Sequence, residues 1–403
     1  MSSNVTPGPR LEPGGKVGGG FVGLCEPHIA GHEWEYVKEC FDTGWVSSVG
    51  AFVDRFEREF AQRAGVDHAV AMGSGTAALH IALLVSGIRA GDEVIAPALT
   101  FIAPLNAIRY VGAWPVVLDV DATYWQLDPN EVRRFLGTDC ERRGGKLLNR
   151  HTGRPVTGIM PVDILGHPAD LGELRSVADE YGLTLIEDAT ESLGAKYRDV
   201  PLGSISPVTC FSFNGNKLIT TGGGGMLVTN DASLAKRARY LATQAKDDPL
   251  EYIHNVVGFN YRLTNVLAAM GCAQLEQLDD FVVRKRVIAT RYAEAFADID
   301  GIDPMREAPW ASSAFWMFTV LVDELRYGCD SRSLLRRLGE DKIQARPLWQ
   351  PMHRSLAHAG AWCGSCPVAD TVHARALSLP CSVGLSAADQ ARVIEAVRRH
   401  LAA

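Results

Sequence analysis

A lysine between an apolar stretch and a run of glycines is the most chemically suggestive feature of this sequence. Lys217 follows the strand-like residues 208–213 and comes shortly before four consecutive glycines at 222–225. Burial beside aromatic residues lowers the pKa of a lysine amine, and glycines leave space around it for a flat molecule. Lys217 could therefore form an imine with a carbonyl cofactor, whereas the simpler interpretation is a surface lysine in a flexible loop.

An acidic residue earlier in the chain favours the first interpretation. Asp188 ends the string Leu-Ile-Glu-Asp at 185–188, directly after an apolar run that is typical of a buried strand. A carboxylate in that position can hold a proton on a pyridine nitrogen. An imine-forming lysine and such an aspartate are together the minimum set for pyridoxal 5′-phosphate, abbreviated PLP.

Further small and aromatic residues could complete a PLP site. Ser74, Gly75 and Thr76 form a turn between a predicted strand and a predicted helix, where backbone N–H groups bind phosphate well. Phe101 could stack on a pyridine ring, and Ser212 could add a hydroxyl to the phosphate site. Each residue taken alone also has an ordinary structural interpretation, as a turn, a core phenylalanine or a strand serine.

The pattern of elements places these residues at one edge of a sheet. From residue 68 onward short apolar runs alternate with helical patterns, which predicts an α/β layer architecture. The predicted strands are 68–72, 92–97, 115–118, 157–162, 183–187, 208–213 and 225–229, and the predicted helices are 75–85, 103–111 and 171–181. Ligands of such sheets bind beyond the carboxyl ends of the strands, and residues 74–76, Phe101, Asp188 and Lys217 all lie at or after such ends. The placement of all these residues at one edge of the sheet is stronger evidence for a cofactor site than any one of them alone.

The pattern of predicted helices and strands changes after about residue 278. The elements predicted there are a helix over 278–297, a strand over 313–322, and helices over 331–338 and 386–401. Ser386 is a plausible N-cap of the last helix. We therefore predict a large PLP-binding domain over 21–278 and a smaller α+β domain over 279–403. The Gly-, Pro- and Ser-rich residues 1–20 are predicted to be a disordered tail.

The composition argues against several classes of protein. A net charge of −7 argues against a nucleic-acid-binding role that rests on bulk charge. No stretch approaches the roughly 20 apolar residues of a membrane span, and the N-terminus lacks the apolar segment of a secretory signal. Nine cysteines, most of them within apolar runs, fit reduced and buried thiols. A cytoplasmic protein without nucleic-acid or membrane partners is expected.

One cysteine pair, Cys363 and Cys366, has the spacing of a redox turn, and its Cys-Gly-Ser-Cys string also occurs around papain-type nucleophiles. Pro367 stands where the papain-type string has an aromatic residue, and the polar run 353–358 precedes the pair in place of a buried strand. Zinc would need a fourth ligand beside His358 and the two thiols. We interpret the pair as an incidental loop feature and expect no metal site.

The ordered motifs of the chain resemble those of the DegT/DnrJ/StrS family of PLP-dependent sugar-nucleotide aminotransferases, from about residue 21 to the C-terminus. The matching motifs are Ser-Gly-Thr-Ala-Ala-Leu at 74–79, Thr-Phe at 100–101, Glu-Asp-Ala at 187–189, Phe-Ser-Phe at 211–213 with Lys217, the glycines at 222–225, and Gly-Phe-Asn-Tyr-Arg-Leu-Thr at 258–264. The resemblance implies a PLP-dependent transferase fold of type I (aspartate aminotransferase-like), with a large mixed-sheet α/β domain and a smaller C-terminal α+β domain. It also implies a homodimer with shared active sites.

Longer strings resemble the subgroup that acts in bacillosamine- and legionaminic-acid-type pathways. These strings are residues 43–50, 188–194, 212–217, 244–249 and 346–353. The subgroup implies transfer of the amino group of L-glutamate to C-4 of a 2-acetamido-4-keto-6-deoxyhexose linked to a nucleotide, with UDP expected. GDP-4-keto-6-deoxymannose, the perosamine-type substrate, is the alternative. A PLP-dependent sugar dehydratase, in which histidine typically replaces the lysine, and a non-catalytic PLP-fold regulator are the remaining alternatives.

The family pattern implies roles for single residues of the cofactor site. Lys217 would bind the cofactor covalently and then carry the proton between cofactor and substrate, and Asp188 would keep the pyridine nitrogen protonated. Glu191 would lie beside the phenolic oxygen of the cofactor, where most of the family has glutamine. Asn260 would reach the phosphate in the neighbouring subunit. Asp163 stands where the family commonly has histidine, and we interpret it as a structural carboxylate.

Four residues are candidates for the substrate. Trp45 offers a flat face for the sugar or the base, and Arg346 suits a diphosphate or the carboxylate of the amino donor. Ser47 and His353 could hydrogen-bond to sugar hydroxyls. Each of these side chains also has a structural interpretation.

Overall fold

The computed structural model describes residues 20–248 and 250–401. The predicted disordered tail therefore lies, except for Gly20, outside the described residues. Among the described residues, no helix combines the length and the apolar surface that crossing a bilayer demands.

The elements are numbered in chain order. The helices are α1 (Glu33–Thr43), α2 (Ala51–Ala64), α3 (Gly75–Val85), α4 (Ala103–Tyr110), α5 (Pro129–Arg134), α6 (Leu171–Tyr181), α7 (Ala232–Ala242), α8 (Asn265–Glu276), α9 (Leu278–Phe296), α10 (Glu324–Tyr327), α11 (Ser331–Glu340), α12 (Pro367–Arg375) and α13 (Ala387–Arg399). The strands are β1 (His68–Met72), β2 (Glu93–Pro97), β3 (Trp114–Leu118), β4 (Cys140–Arg143), β5 (Lys146–Asn149), β6 (Val156–Ile159), β7 (Thr184–Asp188), β8 (Lys196–Tyr197), β9 (Val200–Pro201), β10 (Val208–Ser212), β11 (Gly225–Thr229), β12 (Ile302–Pro304), β13 (Ala311–Ser312), β14 (Phe318–Val322), β15 (Trp362–Cys363) and β16 (Ala376–Leu379).

An eight-stranded sheet in the order β1-β11-β10-β7-β6-β2-β3-β15 forms the centre of the molecule. Strand β11 runs antiparallel to both of its neighbours, whereas the pairs from β10 to β15 are parallel. Every residue of β2, β10 and β11 is buried, because helices cover both faces of the sheet. Because β7 and β10 are parallel neighbours, their carboxyl ends lie side by side. Helix α3 packs over β10 and β11.

A second, three-stranded sheet in the order β12-β14-β16 lies in the C-terminal part of the chain, where α9, α11 and α13 also occur. One C-terminal strand, β15, joins the large sheet beside β3. This strand contains Cys363, and Cys366 is the N-cap of α12, so the interpretation of the cysteine pair as a loop feature was wrong: the pair lies between a strand and a helix. Near the N-terminus, Val22 pairs with Ile343. The division into domains at residue 278 stays a prediction.

The largest difference from the predicted elements lies in residues 313–322. Only Phe318–Val322 forms the predicted strand, because Phe315 has a left-handed backbone with φ +46° and the chain bends at Trp316 and Met317. The carbonyl of Trp316 accepts a hydrogen bond from Lys285 Nζ at 2.6 Å instead of pairing in a sheet. This turn carries the Trp316 side chain away from the strand and, as described below, towards Lys217.

Candidate active site

A cavity of about 260 Å³ opens where the carboxyl ends of the central strands meet the N-terminus of α3. Its lining residues are Ser74, Gly75, Thr76, Leu79, Phe101, Ala103, Thr190, Glu191, Ser212, Asn214, Asn216, Lys217, Gly223, Gly224, Trp316 and Trp349. Seven residues predicted from the sequence for a cofactor site are therefore in one pocket.

The first turn of α3 forms one wall of this pocket. Ser74 is the N-cap of α3, and its side chain accepts a hydrogen bond from Ala77 N at 3.0 Å. A Cβ placed on Gly75 would lie 2.8 Å from Ser212 Cβ, so only glycine lets the helix N-terminus approach the end of β10 this closely. The positive end of the helix dipole, the N–H groups of the first turn and the Ser212 hydroxyl therefore form a site suited to an anion.

The Lys217 side chain enters the pocket from the loop after β10. Its Nζ lies 3.5 Å from Glu191 Oε1 and 4.1 Å from the centre of the Trp316 ring. The loop is anchored on both sides, because Lys217 N donates to Asn214 O at 2.9 Å and Trp316 Nε1 donates to Asn216 O at 2.7 Å. The amine is thus held over an aromatic face and beside a carboxylate.

Asp188 ends β7 beneath the pocket and is 1% exposed. Its Oδ1 accepts a hydrogen bond from Thr190 N at 3.0 Å. Burial raises the pKa of Asp188, and the hydrogen bonds from Thr190 and the charge of Lys217 act against this rise. A buried carboxyl of this kind is suited to share a proton with a ring nitrogen placed above it.

Glu191 is buried on the wall opposite the helix N-terminus. Its Oε2 accepts a hydrogen bond from Leu165 N at 2.9 Å, while Oε1 faces Lys217. Burial raises the pKa of Glu191, and the Lys217 charge is the largest opposing influence. The carboxyl is therefore held in one orientation by groups on two different segments of the chain.

Asp163 lies outside this pocket, on the other side of β7. Its Oδ1 accepts from Ala169 N at 2.9 Å and its Oδ2 accepts from Ser192 Oγ at 3.1 Å. Asp163 and its neighbour Glu187 are both fully buried, and burial raises the pKa of both carboxyls. These contacts favour the structural interpretation of Asp163.

The open side of the pocket is aromatic. Phe101 is 51% exposed, and its ring meets that of Trp349 edge to face at 6.4 Å between centroids. The sequence interpretation included Phe101 but missed Trp316, Trp349, Asn214 and Asn216 as lining residues. Trp349 lies within the 346–353 string, whereas Trp316 lies inside the residues that we assigned to a strand.

Three predicted residues lie on the surface and outside the lining of this pocket. Trp45 is 57% exposed, Ser47 is exposed, and the backbone carbonyl of Ser47 accepts from Asn265 N at 2.5 Å. Asn260 is exposed and its backbone pairs with Thr243. The roles of these three residues stay predictions.

Arg346 and His353 are also absent from the lining. The Arg346 backbone pairs with Ser378. His353 Nε2 lies 2.9 Å from an oxygen of Asp370, which also pairs with Arg354. Their assignment to the substrate stays a prediction as well.

The chemistry of the pocket fits the parts of PLP. The first turn of α3 and Ser212 suit its phosphate, Asp188 suits its ring nitrogen, and the Lys217 amine suits its aldehyde. Because Gly75 lacks a side chain, the anion site stays open to a phosphate.

Comparison with known proteins agrees with this fit. Residues 27–398 match the DegT/DnrJ/EryC1/StrS aminotransferase family. EpsN from Bacillus subtilis, whose name describes a pyridoxal phosphate-dependent aminotransferase, is 39% identical over 378 residues, which are 92% of this chain and 94% of EpsN. GDP-perosamine synthase from Escherichia coli O157:H7 is 37% identical over 366 residues, 91% of this chain and 94% of that protein.

Among solved structures, DesV from S. venezuelae is similar, with a TM-score of 0.82 and 33% identity, over 91% of this chain and 94% of DesV. The predicted family, the type I fold and the use of PLP are confirmed. The chain belongs to the DegT/DnrJ/EryC1/StrS aminotransferase family and is a PLP-dependent aminotransferase.

Proposed function

We propose that this enzyme transfers the amino group of L-glutamate to C-4 of a nucleotide-linked 2-acetamido-4-keto-6-deoxyhexose, with UDP as the nucleotide. The observation that carries the reaction is one cavity that is lined by both Lys217 and the α3 N-terminus. The buried Asp188 carboxyl lies next to this cavity, where it accepts a hydrogen bond from the N–H of the lining residue Thr190. The resemblance of residues 43–50 and 346–353 to the bacillosamine- and legionaminic-acid-type subgroup supports the choice of sugar.

In this proposal the cofactor is held at both of its ends. Backbone N–H groups of Gly75 and Thr76 and the hydroxyls of Ser74 and Ser212 bind the phosphate. Asp188 keeps a proton on the ring nitrogen, and PLP then supplies a ring that withdraws electrons from the reacting carbon. The exposed face of Phe101 stacks on that ring.

Lys217 performs the proton transfers of the reaction. Its Nζ lies in the cavity over the Trp316 ring and 3.5 Å from Glu191 Oε1, and these two contacts fix its position. With PLP bound, the amine would accept a proton from the α-carbon of the donor and, in the second half of the reaction, would donate a proton to C-4 of the sugar. In each half, the opposite proton transfer would take place at a carbon of the cofactor. Glu191 would stabilise the ammonium form of Lys217 within each half.

The rings of Phe101 and Trp349 line the open side of the pocket, where a sugar enters. We infer that Trp45 and Ser47 contact the substrate together with Arg346 and His353, because their side chains suit a sugar nucleotide and they lie in the strings that resemble the subgroup. Because these residues lie outside the lining of this chain's own cavity, the proposal requires that other segments or a second subunit bring them near the substrate.

A homodimer with shared active sites is part of the proposal. Asn260 lies in a segment whose neighbours Tyr252 and Val257 are 70% and 82% exposed. Apolar side chains that are exposed in a cluster typically mark an interface with another protein. A second copy of this chain that covers them would place Asn260 beside the phosphate of its partner's cofactor.

GDP-4-keto-6-deoxymannose is the second candidate substrate, and a specific observation favours it. Relatives at 37% and 38% identity over more than nine-tenths of the chain are named GDP-perosamine synthase. Both candidates share the amination of a 4-keto-6-deoxyhexose, so the pocket described above serves either one. They differ in the group at C-2 and in the nucleotide.

The test compares the specificity constants for UDP-4-keto-6-deoxy-N-acetylglucosamine and GDP-4-keto-6-deoxymannose, with L-glutamate as donor and the Lys217→Ala variant as the blank. A site that hydrogen-bonds to a 2-acetamido group rejects a sugar lacking it, since the polar partners are left unpaired. We expect a strong preference for the UDP-linked sugar. Preference for the GDP-linked sugar would establish the second candidate, and amination of neither would contradict both.

A further inference from the structure

Two cysteines that are distant in sequence lie side by side near the Lys217 loop. Cys381 N donates to Leu24 O at 2.8 Å, and Glu26 N donates to Ser382 Oγ at 2.8 Å, so the segments around residues 25 and 381 run alongside each other. This pairing places Cys25 opposite Cys381. We propose that Cys25 and Cys381 are an oxidisable pair that forms a disulfide.

The environment of the pair favours reaction. The neighbouring Cys25 thiol and the charge of the buried Lys285 lower the pKa of Cys381 to about 6, whereas the neighbouring Cys381 thiol and burial raise the pKa of Cys25. Lys285 Nζ lies close because it donates to Cys381 O at 2.5 Å. Cys381 therefore supplies a thiolate at neutral pH, while Cys25 stays a thiol.

Access to a small oxidant is provided by Cys25, which is half-buried, while Cys381 is buried. Hydrogen peroxide is the oxidant that we infer. The Cys381 thiolate attacks peroxide, an S–O bond forms, the O–O bond breaks and hydroxide leaves. The Cys25 sulfur then attacks the Cys381 sulfur, the S–S bond forms, and the hydroxyl group leaves as water with the Cys25 proton. Two sulfurs are oxidised and one peroxide is reduced.

Cys363 and Cys366, which have the spacing of a redox turn, lie in an environment that disfavours reaction. Cys363 Sγ and Cys366 Sγ each face a backbone carbonyl, of Ala361 at 3.8 Å and of Gly364 at 3.4 Å. Burial raises the pKa of Cys363, and it raises the pKa of Cys366 to about 12. Both remain thiols at neutral pH, so we expect them to react slowly.

The disulfide would alter the loop that carries Lys217. Cys25 Sγ donates to Asn216 O at 3.1 Å, and this carbonyl also accepts from Trp316 Nε1. Oxidation removes the thiol proton and therefore one of the two hydrogen bonds that the Asn216 carbonyl accepts. Through this carbonyl, the redox state of the pair is coupled to the position of Lys217.

The primary test is a peptide map of the holoenzyme after treatment with hydrogen peroxide, without reduction. We expect a linked pair of peptides that contain Cys25 and Cys381, an intact mass lower by two hydrogen atoms, and reversal by dithiothreitol. The Cys25→Ser variant, which keeps a hydroxyl donor for Asn216 O, should lack this link. The Cys363→Ser/Cys366→Ser double variant should retain it.

Two outcomes would overturn the proposal: Cys25 and Cys381 stay reduced, with or without a disulfide between Cys363 and Cys366, or oxygen is added to either sulfur of the Cys25–Cys381 pair without a link between them. If the Cys381→Ser variant fails to fold, Cys25→Ser alone decides, because its side chain lies partly at the surface.

The coupling to Lys217 has a separate test that rests on the proposed aminotransferase reaction. Turnover of the oxidised holoenzyme should fall several-fold and return with dithiothreitol, while peroxide should leave turnover of Cys25→Ser unchanged. Undiminished turnover of the protein that contains the Cys25–Cys381 disulfide would overturn the proposed coupling to Lys217. Since the peptide map needs no substrate, failure of the proposed function and failure of the disulfide remain distinguishable.

Discussion

The strand-end pocket and the largely exposed segment of residues 244–248 and 250–260 both carry acidic residues, but their environments shift the pKa values of those residues in opposite directions. In the pocket, burial raises the pKa of Asp188 and Glu191. In the exposed segment, backbone N–H groups lower the pKa of Asp247 and Asp248, with Asn255 and Glu251 as the leading donors. The pocket acids are therefore suited to hold protons, whereas the segment acids stay ionised and organise a loop.

The apolar side chains of the two regions also differ, in their contacts and in their exposure to solvent. Within the pocket, Phe101 and Trp349 contact one another, and Trp316 lies under Lys217. In the segment, Leu250 and Val257 are 81% and 82% exposed. The pocket is thus formed within one chain, while the segment presents apolar side chains and Asn260 outward, as the proposed shared site requires.

The largest effect is expected for Lys217→Ala. Without an amine in the pocket, the proton transfers have no basic atom, and turnover should fall to background. The phosphate site remains, so the variant should still bind PLP, and borohydride should no longer fix the cofactor to the protein. Lys196→Ala, a change of an exposed lysine in β8, is the matched control. Near-normal turnover of Lys217→Ala would contradict its assignment.

Asp188→Asn should reduce turnover by several orders of magnitude while the fold and PLP binding persist. The amide keeps the shape of the side chain but has no negative charge to hold the proton on the ring nitrogen. Single-turnover kinetics and the absorbance of bound PLP measure the two properties separately. The control is Asp199→Asn at an exposed position. An unchanged rate would make Asp188 a structural residue.

For the exposed segment, Asn260→Ala should remove most activity, and the loss should be repaired by mixing subunits. A hybrid of a Lys217→Ala subunit and an Asn260→Ala subunit contains one intact site, if Asn260 acts across the dimer. Random mixing should therefore restore about a quarter of the wild-type activity. A fully active monomer, or hybrids without activity, would contradict the shared site.

The same comparison shows what the sequence could predict. Strands β1 and β11 and helices α3 and α6 have the bounds expected from apolar patterns, and the strand-end rule then placed Ser74, Phe101 and Lys217 in one pocket. Helix α8 was missed, because its small and apolar residues are buried on nearly all sides and show no helical period. Trp316 was missed since its approach to Lys217 depends on tertiary packing between distant parts of the chain.

Trp45→Ala should have a smaller effect, confined to binding. If Trp45 contacts the sugar or the base but takes no part in the proton transfers, KM for the nucleotide sugar should rise several-fold while kcat changes little. Trp34→Ala, at a 76% exposed position of α1, is the matched control and should leave both constants unchanged. A fall in kcat without a change in KM would contradict a binding role for Trp45.

The smallest effect is expected outside the pocket, at Asp163 and Glu187, which are both fully buried and whose pKa values are raised by burial. A carboxyl with a raised pKa in the folded state stabilises the fold at low pH, and this contribution is lost as the pH rises from about 4 through the raised pKa. Wild-type protein should therefore lose stability with rising pH more steeply than Asp163→Asn, by about 1.4 kcal/mol for each pKa unit that separates the folded from the unfolded state. Urea denaturation at a series of pH values measures the two slopes.

Asp247→Asn is the contrasting control, because the pKa of Asp247 is lowered. The contribution of Asp247 to stability is therefore present above its ordinary pKa and is lost only on acidification. Parallel slopes for wild type and Asp163→Asn would show that Asp163 keeps its ordinary titration in the fold.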